Sequence, residues 1–141
     1  MLKISKLTDY ATILLIHLDR HRKTVSSTVL SVETGIPEPT VAKILKILTR
    51  STLVKSRRGA KSGYHLESSL KEITLAQVVT SIDGPIDLVN CNPESCRIIY
   101  SQCDLQGHWS IINNQIKHFF ETITLEELKN NIQTSSNNKN L

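Results

Sequence analysis

Aromatic side chains make up only 4% of this 141-residue chain. A core built on stacked rings is therefore excluded, and aliphatic packing between helices is expected in its place. Long apolar runs are missing too. The stretch from Ala11 to Leu18 is far too short to cross a bilayer, which takes about 20 residues. Nothing at the start reads as a secretory signal, because Leu2 to Asp9 carries charges and no small-residue cleavage site follows an apolar run. There is no glycine-rich phosphate loop, no metal-hydrolase helix and no nucleophile elbow. His17, His21, His65 and His118 are scattered, and a histidine base for a cysteine nucleophile has no evident place. These absences point away from an enzyme, a small-molecule substrate and a membrane. They leave a cytoplasmic protein of one domain, without internal repeats.

Cysteine is also sparse, yet all three residues fall in one short segment, Cys91, Cys96 and Cys103, spaced C-x4-C-x6-C. An odd number argues against a closed disulfide framework. Clustered thiolates plus one further donor suit an iron–sulfur cluster, in a two-iron or four-iron form, or a zinc ion.

The net charge of +4 hides a division. Residues 1–66 hold 12 Lys/Arg and 4 Asp/Glu, a balance of +8, while residues 67–141 hold 5 and 9, a balance of −4. A basic first half reads as a surface for a polyanion, against the plainer reading of a solvated charged face.

Periodicity supplies the elements. Leu7, Tyr10, Ala11, Leu14, Leu15 and Leu18 recur at helical spacing over about residues 5–22, with Ile13 and Ile16 widening the stripe. A short helix over 27–34 follows, with Val29, Leu30 and Val32 as its apolar positions and Gly35 as its left-handed stop. A third helix over 39–51 turns Val41, Ile44, Leu45 and Leu48 inward and Thr40, Lys43, Lys46 and Arg50 outward. Helix, glycine turn, basic helix is a helix-turn-helix. Two β-like runs, 53–57 and 63–66, flank a tip holding Arg58 and Lys61, which makes a basic wing with Arg57 at its edge. Thr74 and Thr124 each open a capping box. A longer helix over 105–122 has an apolar face of Trp109, Ile112, Ile116, Phe119 and Phe120, broadened by Ile111.

The fold expected is thus mainly α with a small β-hairpin. Residues 1–83 form a winged helix-turn-helix for double-stranded DNA. Residues 84–104 form the cysteine loop, 105–132 a long helix and a short last one, and 133–141 a polar, disordered tail. The DNA-facing candidates are Thr40, Lys43, Lys46, Arg57, Arg58 and Lys61.

Taken in order, Ile4 to Tyr10, Leu45 to Val54, Arg58 to Tyr64 and the three cysteines resemble the bacterial winged-helix regulators of the iron–sulfur cluster regulator (IscR) and nitric-oxide-sensing repressor (NsrR) type. The likeness spans about residues 1–132 and is nearest to regulators of the SUF iron–sulfur assembly operon. It implies a homodimer whose long helices cross, two half-sites of a near-palindromic operator, and an iron–sulfur cluster on Cys91, Cys96 and Cys103 that changes operator affinity. In NsrR-like proteins a carboxylate on the first helix of the other subunit completes the cluster, and Asp9 matches it. IscR-like proteins use a histidine three residues past the third cysteine. Gln106 stands there in this chain, with His108 two residues on as the alternative. The acidic base-reading position of IscR-like proteins falls on Ala42, so their operator sequence does not carry over. The same thiols could instead sense zinc, thiol oxidation or nitric oxide.

Overall fold

The first helix is set by its cap. In the computed structural model, which describes residues 3–89, 96, 103–105 and 107–137, the Ser5 hydroxyl accepts the Thr8 N–H at 3.1 Å. Helix α1 then runs Lys6–Arg20. Its apolar stripe is fully covered: Ala11, Leu14 and Leu15 have no exposed surface. Next come α2 (Ser27–Thr34), α3 (Glu38–Arg50), β1 (Val54–Arg57), β2 (Gly63–Leu66), α4 (Leu75–Asp83), α5 (His108–Thr122) and α6 (Leu125–Asn137). No helix among the described residues is long and apolar enough to cross a membrane.

α1 packs against α2, α3, β2, α4 and α6. The main core joins its stripe to Leu30 of α2, Val41, Ile44, Leu45 and Leu48 of α3, Val54 of β1 and Leu125 of α6. A second, smaller cluster joins Leu75, Ala76 and Val79 of α4 to Phe120 of α5. The two capping boxes lie side by side. The Leu75 N–H donates to Ile123 C=O at 2.8 Å, and the Leu125 N–H donates to Ile73 C=O at 2.9 Å. The starts of α4 and α6 are thereby locked together.

Four features differ from, or add to, what periodicity predicts. On α2 only Leu30 is buried, whereas Val29 and Val32 are exposed. An eight-residue helix touching two neighbours buries one narrow stripe, and Val32 sits about 200° round from Leu30. α5 begins at His108 rather than near Leu105, because Gly107 takes a left-handed conformation (φ 76°) just before it. α6 runs on to Asn137, past the expected stop near Ile132. No proline or glycine interrupts that stretch, so nothing in it forces an end. The wing is also more than a hairpin. The Val25 N–H donates to Tyr64 C=O at 2.9 Å and the Tyr64 N–H donates back at 2.7 Å, so the α1–α2 connection acts as a third edge.

Thr52, between α3 and β1, has φ 63°. Its N–H donates to Thr49 C=O and the Leu53 N–H donates to Leu48 C=O, which closes α3 in a Schellman motif. A β-branched residue in the position glycine usually fills is strained by about 1–2 kcal/mol, and the bonds around it hold it there.

Two ties brace α1 by charge. Glu33 of α2 accepts from His21 Nε2 at 2.9 Å and lies 3.7 Å from His17 Nδ1. The bond from His21 holds the Glu33 carboxyl below its usual range. Burial, with Arg20 adding to it, pushes the His17 imidazole below the usual histidine range. At the other end, Asp83 Oδ2 accepts from Thr8 Oγ1 at 2.8 Å and from the Ser5 N–H at 3.4 Å. Burial would raise the Asp83 carboxyl, but those two bonds outweigh it and hold the group below its usual range.

Two outcomes follow from these contacts. A Cβ on Gly63 would stand 2.6 Å from Val25 O, at a φ of 152°. Gly63→Ala is expected to cost about 2–4 kcal/mol in urea unfolding, with loss of amide protection at Val25 and Tyr64; unchanged stability would contradict this packing. Stability is also expected to fall with acidification below about pH 6.5, because the unfolded His17 takes up a proton more readily than the folded one. Below about pH 4, Glu33 and Asp83 add to the loss, since their depressed folded-state values stabilise only while they are ionised. Urea midpoints across this range should show the first drop in wild-type protein and a smaller one in His17→Gln.

Candidate nucleic-acid interface and thiol segment

The face expected to meet DNA is assembled by consecutive elements. α3 is anchored at its start by Thr28 Oγ1, which donates to Glu38 Oε1 at 2.8 Å and ties α2 to α3. With Val41, Ile44, Leu45 and Leu48 wholly buried, the helix has one rotation available. That rotation leaves Lys43, Lys46 and Arg50 exposed and Thr40 half-buried. The wing follows directly and packs on α3 through β1. Its register pairs Arg57 with Gly63 and Lys55 with His65. Arg58 and Lys61 are exposed at the tip, where the Ser62 N–H donates to Gly59 C=O at 3.0 Å. Lys55 is engaged by Glu67 at 2.9 Å. Lys43, Lys46, Arg57, Arg58 and Lys61 have no acidic partner among the described residues. Arg57 departs from the other wing cations: it lines a cleft beside the end of α1 rather than the tip.

The thiol segment leaves α4 at Gly84, whose φ of 88° turns the chain away from the helix axis. Cys96 and Cys103 are half-buried free thiols. The Cys91 candidate lies outside the described residues. Asp9, in the first turn of α1, is exposed and pairs with Lys6 Nζ at 3.0 Å. His108 is the exposed first residue of α5. Among the described residues no three His, Cys, Asp or Glu side chains are gathered to hold a metal ion. What the single chain does show is that the start of α1 and the end of α4 are tied by the Thr8–Asp83 bond. Asp9 and the beginning of the thiol segment thus hang from the two ends of one contact.

One residue of this region is absent from the sequence-based candidates. Asn113 of α5 is buried, at 8% exposure. Its Oδ1 accepts the Leu88 N–H at 2.8 Å and its Nδ2 donates to Val89 C=O at 3.1 Å. The stretch just before Cys91 is therefore stitched to α5 through backbone groups. A signal was present: Asn113, Ile116 and Phe120 share one helical stripe, and a polar residue on an apolar stripe needs a partner.

Comparison with known proteins agrees with this layout. The Rrf2 family, described as "Iron-dependent Transcriptional regulator", matches residues 4–131. The HTH-type transcriptional regulator IscR of Pectobacterium atrosepticum is 31% identical over 103 residues, covering 72% of this chain and 62% of that protein. The chain thus spans about 62% of the length of the IscR relatives it matches. Among solved structures, CymR, the global cysteine regulator of B. subtilis, superposes with a TM-score of 0.68 at 28% identity, covering 91% of this chain and 96% of that one. IscR of T. potens superposes with a TM-score of 0.67 at 22% identity, covering 95% and 90%, a likeness of fold.

Replacing Asn113 by leucine would leave the Leu88 N–H and the Val89 C=O without partners. The expected cost is about 1–3 kcal/mol, the net worth of two hydrogen bonds, together with faster hydrogen exchange at Leu88. Slow exchange there in Asn113→Leu would show that the two bonds do not hold the segment.

Proposed function

This chain belongs to the Rrf2 family of transcriptional regulators, and from that premise we propose that it binds double-stranded operator DNA as a homodimer, with an affinity set by the state of its three cysteines. The observation that carries the reading is the unpaired basic face formed by α3 and the wing tip. Lys43, exposed on α3, would meet guanine acceptors, with Thr40 beside it. Arg58 at the wing tip suits a minor groove, and Lys46 and Lys61 suit phosphates.

The dimer reading is supported by α5. Ile111 and Phe119 are 59% and 60% exposed, and Ile112 is exposed as well. Apolar residues spaced along one long helix are what a crossing partner helix would cover.

The cysteine reading is supported by donor chemistry. Cys96 and Cys103 are free thiols, and with Cys91 they make the soft donor set that iron–sulfur centres take. Asp9 of the partner subunit would complete it, with His108 the alternative. When bound, such a cluster supplies a charge that oxidation or nitric oxide removes. The chain's own part is mechanical. The thiol segment is held by Asn113 on one side and follows Asp83 on the other, so ordering it bears on both α5 and the start of α1. A shift there would change the spacing of two DNA-binding faces in a dimer. Genes for SUF-type iron–sulfur assembly are the proposed targets, in a cytoplasmic setting. The second reading keeps the DNA face but has the thiols sense zinc, oxidation or nitric oxide directly. The resemblance to a structure described as a cysteine regulator favours it.

The test is iron, sulfide and zinc content, absorption spectrum and operator affinity of anaerobically prepared protein. Iron with sulfide is expected, and joint replacement of Cys91, Cys96 and Cys103 by alanine should abolish both and change affinity by about 5–150-fold. Zinc without sulfide would select the second reading. A colourless protein whose affinity ignores the three cysteines would overturn both. Lys46→Gln should lower the salt dependence of binding by about 0.9 in the log–log slope.

A further inference from the structure

We propose that the cleft between the end of α1 and the wing binds a phosphate-type oxyanion. The cleft encloses about 500 Å³ and is walled by the α1–α2 connection on one side and by β1, β2 and the residues after them on the other. Three cations line it, Arg22, Lys23 and Arg57. None has an acidic partner among the described residues.

Two acids line the same cleft, Asp19 and Glu67, and both are already engaged. Asp19 Oδ2 is 2.8 Å from Lys129 Nζ of α6, and Glu67 Oε2 is 2.9 Å from Lys55 Nζ. Each acid is neutralised by a lysine outside the lining, so the three cations stay uncompensated. A concave wall carrying positive charge of one sign raises the local concentration of small anions.

His65 sharpens the site. It also lines the cleft, and its Nδ1 is buried with no hydrogen-bond partner. Nδ1 is enclosed, so it is through Nε2, which is not among the enclosed unpartnered atoms, that the ring can donate to an oxygen of the anion. Arg22 and Arg57 can present paired N–H donors to two further oxygens. Ser68 and Ser69, on the same wall, add hydroxyls. A tetrahedral oxyanion offers oxygens in several directions at once, which a carboxylate does not. Arg57 pairs with Gly63, the last pair before the tip, yet it lines this cleft, which Arg58 and Lys61 do not.

A phosphate can come from two sources, the backbone of bound DNA or a free phosphate or phosphorylated small molecule. The experiment separates them. The full chain, labelled in its histidine rings, is titrated with inorganic phosphate at mildly alkaline pH against chloride at matched ionic strength. A saturable shift of the His65 ring nitrogen resonance is expected, and Arg22→Gln should weaken it about tenfold, the loss of one charge-assisted bond. His65→Gln should weaken phosphate binding, read by calorimetry, to a similar degree; if that variant fails to fold, Arg22→Gln decides alone, since Arg22 is exposed. The titration is then repeated with duplex DNA bound. Competition identifies a backbone phosphate as the occupant, and independent binding identifies a free oxyanion; either outcome upholds the site. No saturable shift beyond that seen with chloride, or a shift indifferent to Arg22→Gln, would overturn it.

Discussion

Everything else in this chain hangs on the burial of α1. Its leucine stripe is the shared wall of α2, α3, β2, α4 and α6, and Leu14 and Leu15 have no exposed surface. Each such leucine is worth about 1.5–3 kcal/mol of transfer from water. The helix is therefore a rigid strut, and a close-packed strut transmits displacement rather than absorbing it. Its first turn carries Asp9 and, through Thr8, the tie to Asp83 at the head of the thiol segment. Its last turn carries the link to Glu33 of α2, and the connection beyond it is bonded to the wing through Val25 and Tyr64. One element thus touches both the thiol segment's origin and the basic face.

The DNA face is a fixed object: α3 has one rotation, the wing is pinned on the side of Val25, and the strained Thr52 turn is held by bonds on both sides. In the proposed dimer, what remains free to change is the placement of one such face relative to the other. That placement would be set at α5 in the proposed dimer, where the apolar residues are exposed and where Asn113 grips the chain ahead of the cysteines. In the proposed account, the thiols act at the one place where a small local ordering can alter a dimer.

Much of this was legible in the residues. The stripe of α1, the buried positions of α3, the glycine stop at Gly35 and both threonine capping boxes follow from local rules, and local rules act over a turn or two of chain. Features made by distant pairs were not legible. The Val25–Tyr64 bridge joins segments far apart in sequence, and so do the bonds of Asn113 to Leu88 and Val89. Val32 misled because an apolar residue on a short helix looks the same whether its side is covered or open. For the site, residue type pointed to the cations of α3 and of the wing, Arg57 among them, and only the packing of the wing beside α1 shows that Arg57 also lines a cleft. The proposed gathering of thiols would draw on Cys91 and on a second subunit, and no local rule along one chain reaches across subunits.

The central claim is that α1 couples the cysteines to the DNA face. Hydrogen exchange on one anaerobic preparation, before and after its thiol-held centre is stripped, tests it most directly. Protection is predicted to change together in the thiol segment, at the start of α1, and at Val25 and Tyr64 under the wing. A change confined to residues 84–107, with α1 and the wing untouched, would contradict it.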